Sequence, residues 1–180
     1  MRVGLGRERA LHTYIALLRA VNVGGTGKLP MAELRAMCEA LGFGEVRTYI
    51  ASGNVVFRTG LSAAKAKAAL ETALHAYAGK PVGAIVRSAD EMARALAANP
   101  FARAAPNRAV LIFLDQAPPA DALATVRHRK DEELALGERE IYVHYGEGMA
   151  GSKLAIPAAK AGTARNLNTV VKLIAMAREA

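Results

Sequence analysis

Two stretches of this chain run through the same succession of patterns, and that duplication restricts the fold more than any single residue does. In the first, residues 13 to 19 read TYIALLR, a strand, and a polar, glycine-rich stretch follows over residues 21 to 28. Leu34, Met37, Cys38 and Leu41 then recur at i, i+3, i+4 and i+7, one face of an amphipathic helix that Pro30 opens and Gly42 ends. Residues 46 to 51 and 55 to 58 are rich in β-formers and flank Ser52, Gly53 and Asn54, which predicts a hairpin. Ser62 opens an Ala/Lys helix to Tyr77, and residues 82 to 86 supply a closing strand. The order β-α-β-β-α-β is the split βαβ, or ferredoxin-like, pattern, in which two helices cover one face of a four-stranded sheet.

The second pass starts after a linking helix, for which Ser88 and Glu91 form a capping box and Asn99-Pro100 an end. Residues 109 to 114 read as a strand, 119 to 126 as a short helix, and 133 to 136 pair with 140 to 145 across Gly137-Glu138. A polar loop spans 146 to 153, and two short helices are expected over 154 to 161 and 168 to 178. The second unit thus reads β-α-β-β-α-α, with its final strand replaced by a helix. The expectation is an α+β fold of two tandem ferredoxin-like subdomains, the second one modified, with C-terminal helices. Its divisions are an N-terminal extension over 1–12, subdomains over 13–87 and 108–180, and a linking helix and loop over 88–107. The extension is expected to be weakly ordered or peripheral.

Composition supports a folded protein, since 52% of the 180 residues are hydrophobic and 22% charged. The longest apolar run, residues 109 to 114, is far shorter than the roughly 20 residues a bilayer requires, so no membrane is expected as a partner. The start carries no apolar stretch of signal-peptide length, and the single Cys38 cannot form an internal disulfide. Both features point to the cytoplasm, with Cys38 a core residue. In the first strand Tyr14, Ala16 and Leu18 face one way and Ile15 and Leu17 the other, so both faces are apolar and both need cover. The third strand, Val55-Val56-Phe57-Arg58, lacks the aromatic motif with which an open sheet stacks RNA bases, and the chain has no Trp. The second face is therefore expected to pack against the other subdomain or a second copy, as in a homodimer.

Polar loops carry what chemistry the sequence offers. Asn22-Val23-Gly24-Gly25-Thr26-Gly27-Lys28 lies between a strand and a helix, where turned N–H groups, a helix start and Lys28 make the parts of an anion site. A tight strand-to-helix turn would use the same glycines. A nucleotide P-loop would need Gly at 22 and Ser or Thr at 29, where the chain has Asn22 and Leu29. Gly146 to Lys153 repeats the glycine spacing with Ser152 and Lys153 in reversed order and follows an antiparallel strand, so it too fails as a P-loop. Arg165, Asn168, Thr169 and Lys172 lie three to four residues apart at a helix start that Asn166 or Asn168 could cap; a solvated face would look the same. The four histidines have no companion at metal-ligand spacing, and no serine sits in a nucleophile elbow. No metal, cofactor or catalytic constellation is indicated.

These loops also carry a resemblance. Ala16-Leu17-Leu18-Arg19-Ala20-Val21-Asn22-Val23-Gly24-Gly25, Pro30-Met31-Ala32-Glu33-Leu34, Leu41-Gly42-Phe43, Arg47-Thr48-Tyr49-Ile50 and Ser52-Gly53-Asn54-Val55 closely resemble the bacterial "domain of unknown function 1697" family. The likeness continues through Asn99-Pro100-Phe101, Phe113-Leu114-Asp115, Val143-His144-Tyr145, Ser152-Lys153-Leu154 and residues 164 to 169, and so spans nearly everything after His12. It implies a cytoplasmic bacterial protein with tandem ferredoxin-like subdomains, in a family with no established activity. Three positions depart from the family's pattern: Ala20 stands where Gly is usual, Ala51 where Gln is common, and Leu167 where Trp is usual.

With 24 Lys+Arg against 16 Asp+Glu, a net charge of +8, the expected function is binding of a phosphate-bearing ligand, nucleotide or nucleic acid, in a basic cleft between the subdomains. The expected ligand-binding residues are Arg19, Asn22, Gly24, Gly25, Lys28, Ser52, Asn54, Ser152, Lys153, Arg165, Asn166, Asn168 and Lys172. An enzyme acting on a small anionic substrate, and a structural or regulatory dimer joined through the apolar sheet face, are the alternatives.

Overall fold

The computed structural model describes residues 9–22 and 28–179. They form two four-stranded antiparallel sheets and four α-helices. In the first sheet β1 (His12–Leu18) lies between β3 (Asn54–Thr59) and β4 (Ala84–Ser88), with β2 (Gly44–Thr48) outside β3. Helix α1 (Met31–Ala40) follows β1, and α2 (Ala63–Ala78) joins β3 to β4. Helix α3 (Ala89–Ala97) leads to the second sheet, where β5 (Ala109–Phe113) lies between β7 (Glu140–His144) and β8 (Thr163–Asn166), with β6 (Glu133–Leu136) outside β7. Helix α4 (Leu167–Glu179) ends the described chain. The strand orders β2-β3-β1-β4 and β6-β7-β5-β8 are the same arrangement twice, consistent with a tandem ferredoxin-like fold.

Local signals set the helix ends. Ser62 accepts from the N–H of Lys65 at the start of α2, and Gly79 takes the left-handed conformation that closes it. Ser88 and Glu91 form the reciprocal capping box of α3.

Burial then arranges the layers. One face of the first sheet, with Tyr14, Ala16, Leu18, Val55 and Phe57, packs on Leu34 and Cys38 of α1 and Leu70 and Leu74 of α2. Its other face, with Ile15, Leu17, Val56 and Ile85, meets α3 through Met92 and Ala95 and α4 through Val170 and Leu173. The same two helices cover Ala109, Leu111, Phe113 and Tyr142 of the second sheet. Helices α3 and α4 are therefore a shared middle layer, and the apolar sheet face expected to serve a dimer is covered within the chain. Leu167 is buried in this layer, so a Trp at its position would be a core residue.

Three expectations need correction. The second unit keeps its final strand, because β8 pairs with β5 from Thr163 against Phe113 to Asn166 against Val110. Four residues with one inward-facing side chain give no apolar alternation to read. The helices expected over 119 to 126 and 154 to 161 are short 3-10 turns, Ala122–Thr125 and Pro157–Ala159. Pro157 cannot donate to a helix that begins before it. Strand β1 starts at His12, paired with Thr59, so the expected extension already joins the sheet at its last residue; its residues 1–8 lie outside the described chain. Among the described residues no helix is long and apolar enough to cross a membrane.

Cys38 is fully buried in the first core, and burial, with Glu39 nearby, pushes its thiol from 9.0 up to about 12. The unfolded chain therefore releases this proton at a lower pH than the native one. The stability Cys38 contributes is complete below pH 9.0 and is lost as pH rises towards about 12. Denaturant unfolding should show a steeper loss of stability above pH 9.0 for the parent than for Cys38→Ala. At pH 8 a thiol reagent should label the chain only after unfolding.

Candidate functional site

The polar loops meet where β1 ends. The N–H of Leu18 donates to Gly53 O (2.8 Å) and that of Arg19 to Gly83 O (2.9 Å), clamping the strand end between the hairpin turn and the approach to β4. The chain then turns through Ala20 (φ 50) and Asn22 (φ 54), both in the left-handed region. Asn22 closes this turn on itself. Its Oδ1 accepts from Leu29 N (2.7 Å), and its Nδ2 donates to Leu29 O (2.7 Å) and Ala51 O (2.8 Å). Gly24 and Gly25 lie outside the described residues. Across the turn, Ile50 also has a positive φ of 49, and Gly53 has one of 88. A Cβ on Gly53 would sit 2.6 Å from Val21 Cγ2 and 2.9 Å from Leu18 Cβ, so this position requires glycine.

Arg165 fills the junction between the two halves. It reaches from β8, 6% exposed, and makes six hydrogen bonds: to Asn54 Oδ1 (2.6 Å), Thr163 Oγ1 (2.6 Å), Ala164 O (2.9 Å), Leu18 O (2.9 Å), Ser52 O (3.1 Å) and Gly53 O (3.3 Å). None of these partners is a carboxylate, and burial lowers the guanidinium's pKa to about 10. Asn54, fully buried, donates in turn to Tyr49 O (2.9 Å) and Ser52 Oγ (2.9 Å). Arg19 crosses the same boundary, donating from Nε to Gly162 O (3.3 Å) and from Nη2 to Lys160 O.

Arg19, Asn22, Ser52, Asn54 and Arg165 thus come together, but as a closed polar knot. The expected basic cleft between the halves is occupied at this point by Arg165 itself. The other expected residues lie elsewhere. Ser152 Oγ donates to Glu132 Oε1 (2.5 Å), and that bond, with the N–H of Lys130, holds the Glu132 carboxyl below its ordinary range. Glu132 immediately precedes β6, which is separated from β8 by β7 and β5, so Ser152 and the exposed Lys153 belong to the far edge of the second sheet. Asn166 caps α4 by accepting from Thr169 N (2.9 Å), while Asn168 and Lys172 are exposed on the helix.

On the α2 side of the same strand end is an open feature that sequence reasoning missed. A cavity of about 210 Å³ has Val21, Leu29, Leu74 and Val82 as its floor, Tyr77 at its side and Lys28 and Lys80 at its edge. Among the described residues that line it there is no Asp or Glu. Lys28 was expected in a site; Tyr77 and Lys80 were not. The available signal was a tyrosine one turn after Leu74 with a lysine just past the helix end. Chemically the cavity offers two cations beside an apolar recess. Among the described residues no group of His, Cys, Asp or Glu could hold a metal ion.

Arg165→Met should cost about 2 to 6 kcal/mol in urea unfolding, because it leaves Asn54 Oδ1 and the carbonyl of Ser52 without a donor in the junction. Ala20→Gly should act the other way. Ala20 holds φ 50 without glycine's freedom, so the variant should be more stable by about 1 kcal/mol in the same assay.

Comparison with known proteins agrees with this architecture. A conserved bacterial protein, SP0830 from Streptococcus pneumoniae, has a solved structure similar to this one, with a TM-score of 0.74 and 27% sequence identity over 93% of this chain and 99% of that one. No curated protein matches the sequence. The family model described as "Protein of unknown function (DUF1697)" matches residues 11–142, and the chain belongs to that family.

Proposed function

We propose that this protein binds a phosphate-bearing ligand at the cavity between the end of β1 and the C-terminal end of α2, with Lys28 and Lys80 holding the phosphate. The carrying observation is that both lysines stand at an apolar recess whose described lining contains no Asp or Glu. An anion there meets two positive charges with no competing carboxylate in the lining. The nearby arginines do not share this role, because Arg165 and Arg19 spend their donors on protein oxygens. The strained backbone at Ala20 fits the same reading, since such conformations gather at ligand clamps. This reading takes the protein as cytoplasmic, with 13–87 and 108–180 as its two ferredoxin-like subdomains and the ligand held by the first.

Calorimetric titration with adenosine 5′-monophosphate tests the assignment. Each charge-assisted hydrogen bond contributes about 1.5 to 3 kcal/mol, so Lys28→Ala combined with Lys80→Ala should weaken binding at least about 100-fold. Thermal stability should be unchanged, because both side chains are exposed. Equal affinity in the parent and the double variant would refute the assignment.

A further inference from the structure

We infer that the ligand is a small monomeric one, a nucleoside monophosphate or a molecule of the same build, whose planar ring enters the recess and lies against Tyr77 while its phosphate stays at the edge. This rests on the phosphate reading above and specifies what the phosphate is attached to.

The dimensions select the size. An apolar cavity of about 150 Å³ accommodates a benzene ring, whereas pockets for larger ligands run from about 300 Å³ upward. The 210 Å³ recess therefore takes one flat group. Its floor comes from the turn after β1, the approach to α1, helix α2 and the approach to β4, and three of its residues are buried core members, so the floor belongs to the core packing. Tyr77 is the aromatic group at its side, 47% exposed, and pairs with no other ring among the described residues. A half-exposed aromatic ring without a ring partner, beside an apolar recess, is suited to stacking a base.

Eight of the other cations are spent within the fold. A nucleic-acid groove needs free cations repeated along the backbone path. Here Arg35, Arg47, Arg58, Lys67 and Arg139 face glutamates, and Arg19, Arg87 and Arg165 donate to backbone carbonyls, while the exposed Lys153 and Lys172 stand on other elements and do not line the recess.

Titrations of the full chain with adenosine 5′-monophosphate, ribose 5-phosphate and a single-stranded deoxyadenosine 12-mer separate the outcomes. The mononucleotide should bind at least about tenfold more tightly than the sugar phosphate, and Tyr77→Ala should remove that preference while Tyr77→Phe keeps it. Sugar phosphate and mononucleotide binding equally, both lost with Lys28→Ala and Lys80→Ala, would overturn the ring inference and leave the phosphate reading standing. Tighter, strongly salt-dependent binding of the 12-mer that survives Tyr77→Ala would overturn it in favour of a strand. Binding of none of the three would overturn both.

Discussion

Burying Arg165 removes a full charge from water, and what offsets that loss is a set of oxygens drawn from both halves of the chain. Leu18, Ser52 and Gly53 contribute carbonyls from a strand end and a hairpin turn, those of Gly53 and Leu18 accepting also from Leu18 N and Thr163 Oγ1, respectively. Asn54 adds its side-chain oxygen and is oriented by Tyr49 and Ser52. The guanidinium therefore ties the first unit's strand end and hairpin turn to the second unit's edge strand. Its planar fork suits several carbonyls at once in a way a lysine ammonium does not.

Much of the remaining geometry depends on that junction. Once β8 is drawn against the end of β1, α4 must leave from Asn166 into the space between the sheets, and there it completes a core with α3. The two units differ in consequence. The first covers its outer face with two helices, whereas the second covers Val110, Ile112, Ile141 and Val143 with Leu154, Ile156 and short turns. Its inner face already carries the larger burial through the shared layer.

The recess beside Tyr77 has the same origin. With the strand end fixed on one side by Arg165 and Asn22, the chain must bend sharply through Ala20 to reach α1, and the bend does not fill the space in front of Leu74. Elsewhere in the first core side chains fill the interior directly, as where Phe57 stacks on Phe43 at 4.3 Å between ring centroids.

Features that depend on a few neighbouring residues were legible in the sequence. The hydroxyls of Ser62 and Ser88 bond N–H groups three positions on, and Leu34 and Cys38 lie one turn apart, so spacing alone reports helix starts and buried faces. The alternation in β1 likewise announced two covered faces, although not that α3 and α4 would be the cover. Strand β8 escaped notice because its inward residue is an arginine, which by composition belongs on a surface. The candidate site divided in the same way: Lys28 could be seen, but Lys80 and Tyr77 join it only after α2 has packed against β4. Whether a cation is spent or free depends on which oxygens lie within about 3 Å. For Arg165 those of Asn54 and Leu18 come from 111 and 147 residues away, a relation that spacing in the sequence does not carry and only tertiary packing creates.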